Sequence, residues 1–431
     1  MKSILLAIRS KGLSKYLRRG GAIVRSYGLT TSKMVRSMDQ LSRILVRFDC
    51  AATLPITAAV LERNRKAVDK YLGLGIEFAI HGYRHIDHSQ LGLDELATQL
   101  LCAERVFAST GLPVAGFRSP YLRFNQHLRV AVGKVGLGYL SNQPIIWDVV
   151  QGERVSREAQ TAYGRAIAFY QPWSADEVPV LPHLDGDLVE IPVSLPDDEM
   201  ILDRLGGDAG VAERAWSRIL AQTYEREELF TLQLHPERIS RCASSLSSVL
   251  AQARNSNPPV WVARLDEIAT WWRSLLNTKI YVNRTDEGEL NLTWRGPDRM
   301  AVLVRNLEVQ GPVSPWRNGY RRCQAQPLIF RTDFRPFIGV PERTSGEWIG
   351  LLRQLGYIVE TSDDCHNYSI YLDQLGPVGE NDRSVVAEIE KSERPLIKLA
   401  RWPDNACSAL AITGDLDALT LWDYGLRFLG H

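Results

Sequence analysis

The 431 residues carry 45% hydrophobic and 23% charged side chains with a net charge of +1, the balance of a globular chain long enough for about two to three domains. That composition excludes a disordered or low-complexity protein, and 32 Gly and 21 Pro without a period exclude a collagen-like or Pro-rich rod. The charge is uneven: nine Lys and Arg side chains precede the first acid, Asp39, and the remainder of the chain is net acidic, which confines any anionic partner to the N-terminus and argues against a protein-wide nucleic-acid surface.

Residues 1–31 form a basic segment. Over 1–19, Leu5, Ile8, Leu13 and Leu17 alternate at roughly helical spacing with Lys2, Arg9, Lys11 and Lys15. Such a helix either packs on its own domain or makes a peripheral membrane contact. The apolar core from Ile4 to Ile8 is too short for a secretory signal, and no stretch of about 18 apolar residues exists. Six widely spaced cysteines without a CxxC pair read as free thiols, so the expectation is a cytoplasmic protein.

From 32 to 276 helix and strand alternate. The pattern predicts a helix over 32–46, a strand over 51–57, a helix over 58–72 and a buried strand over 76–80. Leu93, Leu96, Leu100, Ala103 and Phe107 recur at three and four, in a helix that Gly111 stops. Further strands read at 188–193, 229–234 and 260–263. Repeated βα units imply a parallel sheet, and about six of them fit a barrel better than an open sheet. A turn-rich linker at 283–288 leads into a small β-rich domain over 285–345, an α/β segment over 346–404, and a strand-helix unit over 405–431.

Three strand ends or turns carry chemistry. In His81-Gly-Tyr-Arg-His85 two histidines four apart, if on a helical turn, lie on one face and can share a cation; with His88, three of the eight histidines fall within eight residues. The bland alternative is one buried and two solvated imidazoles. His235 follows the apolar run 229–234 and could serve as a general acid, though a lone His after a strand is more often structural. Arg118, in Phe117-Arg-Ser-Pro-Tyr121, could pair with a carboxylate. The missing carboxylate has two candidates. Asp49 precedes a strand instead of following one. Asp415 and Asp417 end an apolar strand one residue apart, so a cation could neutralise one and leave the other a base; a solvated acidic turn is the alternative.

Together these residues resemble the polysaccharide deacetylase (NodB-homology) family of metal-dependent carbohydrate esterases. His81 to His85 is similar to its HxxxH metal motif, Phe117 to Tyr121 to its RxPY motif, and Leu232-Gln-Leu-His235 to its LxLH motif; the order agrees over residues 30–275. The family's acidic motif should precede these, yet residues 20–31 contain no Asp or Glu. Thr413-Gly-Asp-Leu-Asp417 resembles a D-x-D variant of it at the other end of the chain.

The resemblance therefore implies a distorted (β/α) barrel whose C-terminal strand completes the ring, as in a circular permutation. The alternative is that 405–431 opens a second module and the first domain is a metal-poor relic. It further implies zinc or a similar divalent ion on Asp417, His81 and His85, and Asp415 as the base, held ionised by Arg118. Tyr121 would offer a backbone N–H to the oxyanion, His235 would be the acid, and Tyr121 and Asp148 would line the substrate cleft. His88 could also line the cleft but has no assigned role, and Pro196-Asp-Asp198 could line the sugar site but reads more readily as a surface turn. The implied function is metal-dependent removal of an N-acetyl group from a sugar or glycan. A catalytically inactive carbohydrate-binding or assembly protein, and hydrolysis of an O-acetyl ester or another C–N bond, are the alternatives.

Overall fold

The computed structural model describes residues 27–286, 288–379 and 382–429; the basic segment expected over 1–31 lies, up to residue 26, outside them. Two compact units emerge: one holds the described residues up to 175, 182–269 and those from 409 on, and the other holds 176–181 and 270–408. The segments expected as separate over 285–345 and 346–404 thus share one unit.

The first unit is built on parallel strands whose residues are buried along their whole length, as expected where both faces of a sheet are covered. The order across the sheet is Leu229–Leu234, Ser408–Gly414, Thr53–Ile56, Glu77–Ile80, Gly116–Phe117, Tyr139–Leu140 and Leu188–Glu190. Three residues beyond Glu190 the chain pairs again as Val193–Leu195, now with Leu229–Leu234. One bent segment thus touches both ends of the row and curls it into a distorted (β/α) barrel.

The strand Ser408–Gly414 fills the gap between two partners far away in sequence. It runs in register with Leu229–Leu234, from Leu229↔Ala409 to Leu234↔Gly414, and pairs Thr53 with Thr413 on its other side. Leu410 and Ile412 are fully buried, and each such side chain contributes about 1.5–3 kcal/mol relative to exposure. At Gly414 a side chain would come within 2.9 Å of Leu54 Cδ2, so the strand can lie this close only without a Cβ.

Helices cover the ring. Ser32–Arg47 buries Met34, Met38, Leu41 and Leu45, an apolar stripe at three- and four-residue spacing. The helix Ala58–Leu72 begins with the N–H groups of Ala58 and Ala59 donated to the carbonyls of Gly82 and Tyr83. Its N-terminus is therefore satisfied by the histidine loop, which it fixes in turn. Leu93–Thr110 ends at Gly111 in the left-handed conformation, φ 69°.

The second unit contains an antiparallel sheet around Leu290–Arg295, another around Val302–Arg305, and a small parallel sheet centred on Arg335–Val340 with the helix Gly346–Gln354 following it. Its β character over 290–330 and its helix and strand over 346–361 follow the sequence pattern. The six cysteines are unpaired. Among the described residues no helix is long and apolar enough to cross a membrane.

Candidate metal and acid-base site

The site gathers where parallel strands end and loops begin. His81 follows Glu77–Ile80, Arg118 follows Gly116–Phe117, His235 follows Leu229–Leu234 and Asp415 follows Ser408–Gly414. The pairs Ile80↔Phe117 and Leu234↔Gly414 bring these ends out in neighbouring positions. Asp49 stands before Thr53–Ile56, at the other end of the strands.

The two late acids reach the paired imidazoles. Asp417 Oδ1 lies 3.3 Å from His81 Nε2 and 3.2 Å from His85 Nε2, and Asp415 Oδ2 lies 4.0 Å from His81 Nε2. His81 Nδ1 is 2.9 Å from the Arg118 carbonyl, which can only accept, so Nδ1 carries a hydrogen and, in the neutral ring, Nε2 presents its lone pair. Asp417 Oδ1 and His81 Nε2 are both buried without a hydrogen-bond partner. Two acceptors facing each other in a dry site are costly unless a cation lies between them. With His85 the three ligand atoms fall within 4.8 Å of one another, and two imidazoles with a carboxylate suit zinc or a related divalent ion.

Asp415 is held from two sides. Arg118, fully buried, donates from Nη1 to its Oδ1 at 3.0 Å and to Thr413 Oγ1 at 2.8 Å, while Nη2 donates to Ser141 Oγ. Gln233 Nε2 donates to Asp415 Oδ2 at 2.8 Å. Gln233, the variable position of the LxLH run, was not singled out in the sequence.

His85 and Asp417 have a further neighbour. Arg427, on the helix Leu421–Leu429, places Nη1 3.0 Å from Asp417 Oδ2 and Nη2 2.6 Å from His85 Nδ1. Burial, with Arg427 adding to it, pushes His85 down to about 4, so it is neutral at physiological pH. Burial opposes ionisation of Asp417, but His85 and Arg427 outweigh it and hold the carboxyl well below its usual range. The ring of Tyr121 packs edge-on to His85 at 4.4 Å. Tyr121 and Leu122 both adopt left-handed backbone, φ 62° and 54°, strain of a kind that gathers at functional sites.

A second pair stands at His235. Its Nδ1 is 2.6 Å from Asp198 Oδ1, and its backbone N–H donates to Asp198 Oδ2 at 2.7 Å. Burial would lower the imidazole, but Asp198 overcomes it and raises His235 well above its ordinary value. Asp197 is pushed up to about 7 by burial. The expected surface turn at 196–198 is corrected here: Asp197 and Asp198 are 1% and 0% exposed.

His88 is a wedge. It is fully buried, stacks on Phe117 at 5.6 Å, and fills the space under Gly82. Asp148, expected in the substrate cleft, is exposed and hydrogen-bonded to Gln151, unlike the buried groups around His81.

Among protein families, the model described as polysaccharide deacetylase matches residues 28–140, which include His81, His85 and Arg118. The resemblance read from the motifs is to this family. Similar solved structures include a Mycobacterium smegmatis protein named for that family, at 21% identity over 54% of this chain and 76% of its own, TM-score 0.42. A Pseudomonas aeruginosa PAO1 protein named likewise is 19% identical over 55% and 73%, TM-score 0.43. A carbohydrate esterase family 4 pseudoenzyme of Bacillus anthracis is 19% identical over 37% and 50%, TM-score 0.24. No curated protein is similar in sequence.

Proposed function

We propose that the protein is a metal-dependent hydrolase that removes an N-acetyl group from a sugar or glycan. The observation that carries this reading is the convergence of Asp417, His81 and His85 on one point, with Asp415 fixed beside them by Arg118 and Gln233. Asp417 Oδ1 and the two Nε2 atoms would hold the divalent ion. When bound, it would polarise the acetamide carbonyl and acidify a water molecule.

Asp415 accepts the proton of the attacking water; its two donors leave it oriented toward His81. The backbone at Tyr121 supplies an N–H to the developing oxyanion. His235, kept protonated by Asp198, gives its proton to the departing amine, and acetate leaves. The acceptor sugar enters over Tyr121, whose ring covers His85.

The test uses the full chain with zinc, cobalt or nickel and measures acetate release from N-acetylated oligosaccharides. Release that disappears in Asp415→Asn, with metal content retained, supports the reading. Absence of release across all metals and substrates overturns it. One observation favours the second reading, a glycan-binding barrel without catalysis: Arg427 already contacts Asp417 and His85.

A further inference from the structure

His85 and Asp417 border a small open cleft that the proposed chemistry leaves unused. Three arginines line it as well, Arg63, Arg84 and Arg427, with one further acid, Asp423. They come from separate elements: Arg63 from the helix Ala58–Leu72, Arg84 from the histidine loop after Glu77–Ile80, and Arg427 from the helix Leu421–Leu429. Charges of one sign converging on one opening focus the potential there. Two carboxylates face three guanidinium groups, and a cation on Asp417 would leave only one of the two to balance them. The cleft is therefore cationic without the ion and more so with it.

Arg63 presents this excess. Its Nε donates to Asp423 Oδ1 at 2.8 Å, and its two terminal amino groups make no hydrogen bond among the described residues. Asp423 is 2% exposed and accepts on Oδ2 from Asn64 Nδ2 and from the N–H groups of Leu419 and Thr420. It is thus immobile and holds the guanidinium by one edge. The Arg63 side chain is 33% exposed. A guanidinium tethered at Nε and open at its far end is a fork set in advance for the paired oxygens of a carboxylate or phosphate. Arg427, already bonded to Asp417 and His85, adds its charge and not a contact.

We infer that this cleft is an anion subsite: the N-acetylated saccharide carries a carboxylate or phosphate on the reacting sugar or on the group joined to it, and Arg63 and Arg84 receive that charge. This rests on reading the protein as a metal-dependent N-deacetylase. His85 and Asp417 belong to both the cation site and the cleft, so the charged group must lie close to the acetamide in the chain of the substrate. A neutral saccharide gains nothing from the fork, and that difference in affinity is what selects the acidic one.

The experiment gives the metal-loaded full chain three disaccharides: neutral N,N′-diacetylchitobiose, its 1-phosphate, and glucuronic acid joined to N-acetylglucosamine. The wild type is expected to release acetate from one of the acidic pair with kcat/KM roughly tenfold or more above the neutral one, the worth of one or two charge-assisted hydrogen bonds. Which acidic disaccharide wins tells a phosphate from a uronate. Arg63→Gln should erase most of that preference, Arg84→Gln should weaken it and Arg63→Lys should keep part of it. The readout is the acidic-to-neutral ratio, which a general loss of fold does not change. Calorimetric titration of the metal-free chain with the preferred disaccharide should show the same weakening in Arg63→Gln. Equal rates on all three substrates overturn the subsite and leave the hydrolase standing. A preference that survives both Arg63→Gln and Arg84→Gln, or unaltered binding in the titration, overturns its assignment to this cleft. No acetate from any of the three, nor from longer chains, overturns the hydrolase and the subsite together.

Discussion

His85, buried, and His235, partly exposed, lie at the same end of one barrel and are driven in opposite directions. Burial and a neighbouring arginine keep His85 neutral, while a carboxylate that grips His235 through both its oxygens keeps it charged despite burial. On the proposed reading, the difference separates two tasks one imidazole cannot perform together: offering a lone pair to a cation and offering a proton to a leaving group. Two titratable groups pushed apart by their surroundings mark the division of labour in an acid-base site.

The sharpest way to break the comparison is to remove each ring in turn. His85→Ala should lose both bound metal and activity, whereas His235→Gln should keep its metal and lose about 10²–10⁴-fold in kcat. Metal analysis beside acetate release distinguishes them, and metal loss in His235→Gln would collapse the distinction. Next in size is Asp198→Asn. Without the carboxylate, burial and Arg238 lower His235 against Glu237, so its pKa falls and the alkaline limb of the pH–rate profile should move to lower pH; an unmoved limb counts against His235 as the acid. The same pair stabilises the fold below about pH 6.5 and loses that contribution as pH rises through the raised value of His235. Thermal unfolding of Asp198→Asn should therefore depend less on pH above that point. The smallest effect is expected at the loop beneath His85. Gly82 has φ 78° and its Cβ would meet His88 Cε1 at 2.9 Å, so Gly82→Ala should cost about 1–3 kcal/mol in calorimetry.

Much of this could be read from residues alone. The spacing of His81 and His85, the arginine before Ser-Pro-Tyr and the apolar run ahead of His235 each named their strand end, and the shortage of early acids pointed to Asp415 and Asp417. What escaped were groups whose meaning is set across long distances. Asp198 sits in a Pro-Asp-Asp run that resembles any turn, because its partner, His235, stands 37 residues later. Arg427 is one basic residue on a short helix, and only the positions of Asp417 and His85 give it partners. Asp148, after an apolar pair, is exposed and bonded to Gln151. The unit over 270–408 read as separate segments because its sheets pair strands from both.

The pairing of Thr53 with Thr413 has a consequence for how the molecule assembles. Until the segment from Ser408 slots in, Thr53–Ile56 and Leu229–Leu234 each present a row of open amides and carbonyls, and some 360 residues separate the edges that must meet. Contacts of such high order form late and slowly. Nascent or partly unfolded chains will therefore pass through a sticky, unzipped stage in which aggregation competes with closure, and chaperone supply should govern the yield of soluble protein.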